Sequence, residues 1–406
     1  MNTVYADNNA TTPVAPEVVE AMMPYLTSRF YNPSSMYEPA RAVAEAVASA
    51  RKRIARTLGG PASNQFYFTS CATEANNWAL RGAVAANPAR RHIITTAVEH
   101  PAVLEVCREL ERQGCEVSYL SVDSDGKLDI GEFVRTLRPD TLLVTIMHAN
   151  NETGVIFPIE KLSRITKETD PRILFHTDAT QSVGKLAIDL KREFKHVDML
   201  TFSGHKLHAP KGVGVLYMKR GTPCRPFMVG GHQESGLRAG TENVPYIMGL
   251  AKACELAADH IQEEQDYVRR LRDRLQKAIS AIPYIEINGG NAARLPNTLN
   301  VACHYIEGES ILYQLNEYGI CASSGSACTS GSLEPSHVLR AMKIPFTAIH
   351  GSIRFSFSRY NTDEDVDRII DAFPKIVESL RRISPYWDME RNAPRPGALR
   401  LERPHE

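Results

Sequence analysis

"DMLTFSGHKLHAPKGVGVLYM", residues 198 to 218, sets Lys206 between two short runs that are apolar almost throughout. The flanking runs have the length and residue types of strands covered on both faces, and the Gly, Pro and His residues between them break the pattern. Working outward, "QFYFTS" (65–70), "HIITT" (92–96), "TLLVTIM" (141–147) and "ILFHTD" (173–178) are runs of the same kind. Helical patterns intervene at "EANNWALRGAVAAN" (74–87) and "AVLEVCRELERQG" (102–114). This rhythm, from about residue 65 to 220, predicts an α/β fold with a largely parallel sheet.

After "YIMGLAKACELAADH" (246–260) the residues Ile261, Val268, Leu271, Leu275, Ile279 and Ile282 recur at helical steps, which predicts a linking helix. Beyond it, "IEINGG", "LPNTLNVACHY", "GESILYQLNEYG" and the alternating "SIRFSFS" read as a smaller α+β domain. The terminal "RNAPRPGALRLERPHE" (391–406) is rich in Pro and Arg and poor in large apolar groups, so residues 389–406 are expected to be a disordered tail.

Charge is balanced, 47 Lys and Arg against 47 Asp and Glu, so no net field draws the chain to nucleic acid or to anionic lipid. The start lacks the basic and apolar regions of a leader, and no apolar run of about 18 residues stands out as a span, so a cytoplasmic protein without a membrane partner is expected. The eight cysteines are scattered, with no C-x-x-C pair and no zinc-like grouping. Neither a disulfide framework nor an intrinsic metal site is expected.

Ligands of open α/β sheets bind beyond the carboxyl ends of the strands. "FTSCATEANN" puts Thr73 and Glu74 at a helix start, where free N–H groups hold a phosphate or are simply capped. "MHANNETG" supplies Asn150 and Asn151, and "FHTDATQSVG" supplies Asp178 and Gln181. "TFSGHKLHAPKGVG" supplies Ser203, His205 and Lys206, the lysine being a candidate Schiff-base former once desolvated. Each alone has an ordinary structural reading. Together they are the complement of pyridoxal phosphate: a phosphate cradle, a carboxylate for a pyridinium nitrogen, amides for a ring hydroxyl and an amine. "SSGSACTSG" (323–331) sets Cys328 among small residues, with Gly325 and Gly331 giving backbone freedom. A mobile reactive thiol and an inert cysteine both remain open there.

The motifs "YADNNATT", "NPSS", "TSCATEANN", "EHPAV", "NNETG", "HTDATQSVGK", "SGHKLHAPKGVGVLY", "AGTEN", "SSGSACTSGSLEPSHVLRAM" and "GSIRFSFSRY", in this order, resemble cysteine desulfurases with the class V aminotransferase fold, a match that extends from about residue 4 to 387. The "SSGSACTSGSLEPSHV" block and the late "SPYW" are most similar to the nitrogen-fixation, NifS-like branch. The resemblance implies fold type I of the pyridoxal phosphate enzymes. It divides the chain into a segment 1–14 packing with the small domain, a large cofactor domain 15–258, and a linking helix with small domain over 259–388.

In that reading Lys206 carries the cofactor, Asp178 pairs with its ring nitrogen, and Asn151 and Gln181 lie near the ring oxygen. His100 stacks on the ring and handles protons, including that of the substrate thiol. The Ala72 backbone, Thr73, Ser203 and His205 contact the phosphate, and Thr241 reaches it from the neighbouring subunit of a homodimer. Arg354, with Asn151, holds the substrate carboxylate, and Cys328 collects sulfur from L-cysteine as a persulfide. The implied acceptor is an iron–sulfur scaffold serving nitrogenase, which leaves Cys328 a transient contact to iron–sulfur species. Alternatives are a selenocysteine lyase or another enzyme of this fold and, from a different class, a non-enzymatic sulfur-delivery scaffold. Ser235, Tyr37, Cys71 and Cys321 depart from the residues frequent in the family.

Overall fold

The computed structural model describes residues 3–60, 62–324, 335–396 and 398. Cys328, Gly325 and Gly331 lie outside the described residues. The chain opens with strand β1 (Val4–Tyr5) and helices α1 (Pro16–Thr27) and α2 (Glu38–Thr57). The predicted alternation follows as β2 (Phe66–Thr69), α3 (Ala72–Ala86), β3 (His92–Thr96), α4 (Pro101–Arg112), β4 (Glu116–Leu120), α5 (Ile130–Thr136) and β5 (Thr141–Thr145). It continues as α6 (Ile159–Thr169), β6 (Leu174–Asp178), β7 (Met199–Ser203) and β8 (Gly214–Met218). Every apolar run read from the sequence is a strand. Among β2 to β8 the strand not marked in the sequence is β4, which lies at the sheet edge, where its half-exposed residues carry no apolar signal.

These strands form a seven-stranded sheet in the order β2-β8-β7-β6-β5-β3-β4. β8 runs antiparallel to both of its neighbours, and the remaining pairs are parallel. Successive residues alternate between two cores, as a pleated strand requires. Ile93, Leu143, Leu174 and Met199 pack with Trp78 and Val103 on one face, while Ile94, Val144, Phe175 and Leu200 pack with Val18, Val47 and Leu250 on the other. Helices cover both faces, so the inner strands are buried along their whole length.

Two helices, α7 (Val244–Asp259) and α8 (Ile261–Ile279), meet at a break at His260. α8 buries Val268, Leu271, Leu275 and Ile279, four of the positions whose spacing predicted it. The chain then runs through β9 (Ile285–Ile287), β10 (Thr298–Cys303), α9 (Gly308–Glu317), β11 (Ile320–Cys321), α10 (His337–Ala341), α11 (Phe346–Ile349), β12 (Ser352–Ser356) and α12 (Asp363–Ile383). β12-β10-β9 form an antiparallel sheet whose core includes the α8 stripe and the inner face of α12. The amino-terminal segment belongs to this second core: β1 pairs in parallel with β11, and Val4 and Ala6 are fully buried in it.

The disordered tail expected over 389–406 is corrected for its described part. β13 (Trp387–Asp388) pairs with β14 (Ala393–Pro394), and Trp387, 2% exposed, packs with Tyr305 and Ala398. The Arg381 guanidinium lies 4.2 Å from the centre of the Trp387 ring, and Arg395 donates to the Trp387 carbonyl. One aromatic anchor just before the tail supplies the apolar surface that the tail's own composition lacks. Among the described residues no helix is long and apolar enough to cross a membrane.

One glycine sets where α3 begins. A Cβ on Gly214, at the start of β8, would stand 2.6 Å from the Cys71 carbonyl carbon and 2.9 Å from its Cα. Neither backbone can yield without moving the helix start. Gly214→Ala is therefore expected to cost about 1–3 kcal/mol of stability, read from urea unfolding, and an unchanged midpoint would remove the packing role assigned here.

Candidate active site

The carboxyl ends of β2, β3, β5, β6 and β7 open on one edge of the sheet, and a cavity of about 320 Å³ lies there. Residues following each of those strands line it: Ala72 and Thr73, His100, Asn151, Asp178 and Gln181, and Ser203, His205 and Lys206. Arg354 of β12 closes it from the small sheet. Cys328 lies outside the described residues. Thr241, expected to serve a neighbouring subunit, is exposed and lines a separate cavity with Arg238 and Phe68.

Asp178 ends β6 with its carboxylate buried. Oδ2 accepts from Asn76 Nδ2 at 2.7 Å, and Oδ1 accepts from the Thr180 N–H at 2.9 Å. Asn76 in turn accepts the Thr201 hydroxyl at 2.5 Å, so Thr201 can only accept from His176 Nε2 at 3.3 Å. His176 Nδ1 then takes the Thr145 hydroxyl at 2.8 Å. Burial holds the His176 ring below its ordinary pKa, in keeping with a neutral ring used once as donor and once as acceptor. Every proton in this chain points towards Asp178. A carboxylate that accepts two neutral donors, of roughly four hydrogen bonds it can take, has room for a further donor from the cavity side.

Lys206 sits in the short turn after β7, and its Nζ donates to the Asn9 and Ala10 carbonyls, each at 2.7 Å. Those carbonyls belong to the amino-terminal loop, which Thr12 ties to the His205 carbonyl and Asn9 ties to the Ser356 hydroxyl. His205 Nδ1 faces the Thr11 hydroxyl at 3.1 Å, and burial, then Lys206, pulls its pKa down to about 4.

His100 is the N-cap of α4: Nδ1 accepts the Ala102 N–H at 3.1 Å. Burial, with Lys206 and His337 adding to it and Asp178 opposing, lowers its pKa. A neutral ring with Nδ1 as acceptor carries its proton on Nε2. Behind it, burial raises Glu99 to about 8, and its Oε1 accepts from the Met147 N–H and the Thr96 hydroxyl.

Arg354 is 4% exposed rather than a surface residue. Nη2 donates to Asp7 Oδ1 at 2.7 Å, Nη1 to the Asn151 carbonyl at 2.9 Å, and Nε has no partner among the described residues. Glu152, next to Asn151, accepts the Ser336 hydroxyl, and burial pushes its carboxyl up to about 7. Asp7, Asn9, Asn76, Glu152 and Ser336 all lie inside motifs quoted from the sequence, yet none was given a role there. Their parts are set by backbone carbonyls and by partners far along the chain, which composition and spacing do not carry.

The residues present suit pyridoxal phosphate. The fifteen-residue helix α3 begins at the cavity with no side-chain cap, since Cys71 makes none. Its first-turn N–H groups are thus free to hold an anion. The Ser203 and Thr180 hydroxyls, both in residues that line the cavity, are buried without partners among the described residues, which leaves two further polar groups for a ligand.

The model of the family described as aminotransferase class-V matches residues 4–369. Among curated proteins, the chain is 57% identical over 391 residues to a cysteine desulfurase of Nostoc sp., covering 96% of this chain and 96% of that one. It is 52% identical over 388 residues to the cysteine desulfurase NifS of Azotobacter vinelandii, covering 95% of this chain and 96% of that one. Among solved structures, a NifS-like protein superposes with a TM-score of 0.87 at 38% identity, covering 94% of this chain and 100% of that one. With its sequence matched almost from end to end and its sheet superposed, this chain belongs to the class-V aminotransferase family.

Proposed function

We propose that this chain is a cysteine desulfurase that uses pyridoxal 5′-phosphate to take sulfur from L-cysteine, releasing L-alanine and holding the sulfur as a persulfide on Cys328. The observation that carries the reading is that a chain 57% identical to a cysteine desulfurase over nearly its whole length brings Lys206, Asp178, His100 and Arg354 to one cavity. Bound there, the cofactor supplies an electron sink that makes the substrate Cβ–Sγ bond labile.

The chain's residues do the rest. Lys206 Nζ would anchor the cofactor and, as a free amine, would move the substrate Cα proton. Asp178, fixed as an acceptor by Asn76, keeps the ring nitrogen protonated. Gln181 and Asn151 address the ring oxygen, while the α3 N–H groups, Thr73, Ser203 and His205 hold the phosphate. Arg354 binds the substrate carboxylate with the guanidinium that Asp7 and the Asn151 carbonyl orient. His100 enters as a donor at Nε2 and becomes a base for the substrate thiol only after that proton has gone. The Cys328 thiolate forms the S–S bond as the Cβ–Sγ bond breaks, and Cβ takes up a proton to give alanine.

The finer reading is a homodimer in a reducing, cytoplasmic compartment that passes persulfide sulfur to an iron–sulfur scaffold in nitrogenase maturation. The described cysteines are all free thiols, which supports the compartment. Val19, Met23, Leu26 and Phe30 leave an exposed apolar strip along and just past α1, and Phe227, Met228 and Val229 are exposed as well, which supports the dimer. Thr241, away from its own chain's cavity, is then free to serve the partner's.

Cys328→Ala is expected to abolish alanine formation from cysteine while the loaded protein keeps its visible absorbance; surviving turnover would place the nucleophile elsewhere. Asn76→Ala is expected to slow alanine formation by roughly ten- to a hundredfold, the worth of one hydrogen bond to a charged group, with a wild-type rate refuting the role given to the Asp178 network. Light scattering is expected to return twice the mass of one chain, and a monomer would end the dimer reading.

A further inference from the structure

Lys185 lies one turn past Gln181 in the loop after β6, and no step above uses it. Its Nζ donates to Gln181 Oε1 at 2.9 Å and approaches Asn9 Oδ1 at 3.4 Å. Gln265 of α8 fixes its backbone by donating to its carbonyl at 2.9 Å. Glu264 of α8, the nearest carboxylate that acts on it, is itself engaged by Arg359 at 2.7 Å.

An ammonium only donates, so the Gln181 oxygen must face Lys185 and the Gln181 nitrogen must face the other way. It does: Nε2 donates to the Asn9 carbonyl at 3.0 Å, the same oxygen that accepts Lys206 Nζ. The second Nε2 hydrogen is left for the cavity that Gln181 lines. With the amide turned over, its oxygen would meet the Asn9 carbonyl oxygen, and Lys185 would face two N–H donors.

We propose that Lys185 is a positioning residue, which locks the Gln181 amide so that it presents an N–H to the cavity and places a second cation behind Lys206. This rests on the cofactor reading above. The ligand atom it serves is an anionic oxygen on the cofactor ring, which an N–H stabilises and a carbonyl would repel. The charge and the lock are separable. Burial, then the Lys206 charge, brings Lys185 down to about 7, with Glu264 opposing and Arg354 adding to the fall. His205 and His208, both lowered towards about 4, face it as neutral rings. Above that range the amine still donates to Gln181 but no longer adds charge.

The test is a pH titration of the visible absorbance of the protein loaded with pyridoxal phosphate. Removing a cation and an N–H donor beside a proton-binding chromophore favours its protonated form, so Lys185→Met is expected to raise the midpoint by about one pH unit, a tenfold change in proton affinity. Lys185→Arg, which keeps the donor and holds its charge throughout the titration, is expected to leave the midpoint at or below the wild-type value. Lys185→Gln, a smaller polar change should the Met variant fail to fold, is expected to shift it the same way as Met. A Met or Gln midpoint equal to wild type overturns the proposal. Wild-type protein that gains no visible band with pyridoxal phosphate overturns the cofactor reading itself, a separate outcome.

Discussion

The site is organised around one constraint: a carboxylate, Asp178, buried at the end of a parallel strand and held by neutral hydrogen-bond donors. Burying such a charge is costly unless hydrogen bonds and a counterpart share the load. Asn76 and the Thr180 N–H provide the hydrogen bonds. The Thr145, His176 and Thr201 chain beneath fixes Asn76 so that its amide cannot turn round. What remains unsatisfied faces the cavity. A protonated ring nitrogen bound there would satisfy the carboxylate, and the positive charge it would keep beside that anion would let the ring accept electrons, so the stability problem and the proposed catalytic requirement have the same solution.

The second requirement is that two sheets with separate cores meet at atomic precision. Residues 4–15 do this. Val4 and Ala6 are embedded in the smaller core, while Thr12 and Ala15 hydrogen-bond to the His205 and His208 carbonyls beside the large sheet. Between those anchors, Asp7 holds Arg354, and the Asn9 and Ala10 carbonyls hold Lys206. The group proposed to grip a substrate carboxylate and the group proposed to move its proton are thus referenced to the same few residues of backbone. A displacement of one sheet against the other would have to break the hydrogen bonds of Arg354 or Lys206 to this segment, which resists any change in their mutual geometry.

Much of this could be read from the chain alone. The inner strands announce themselves because both faces are covered, so "ILFHTD" and "TLLVTIM" carry no polar alternation to confuse the period. Asp178, Lys206, Ser203 and Gln181 were legible because polar groups immediately after such runs have a single place to go. β4 was not legible, since an edge strand with a wet face looks like a loop. Trp387 carried the missing signal for the ordered part of the tail, but a single aromatic has no periodicity and its partners Tyr305 and Ala398 are remote or sparse in sequence. Asn76 and Asp7 were invisible for a related reason: each acts through a partner more than a hundred residues away.

His100 illustrates how structure alters a role that residue type suggests. An imidazole near neutrality invites assignment as a base. Here its Nδ1 is spent on capping α4, and burial keeps the ring neutral, so the proton sits on Nε2 and the first transfer it can make is outward. Moving that proton to Nδ1 would break the cap and leave the Ala102 N–H without a partner, a cost of about 1 kcal/mol or more for an N-cap. The helix that positions the ring therefore also sets the direction in which it works.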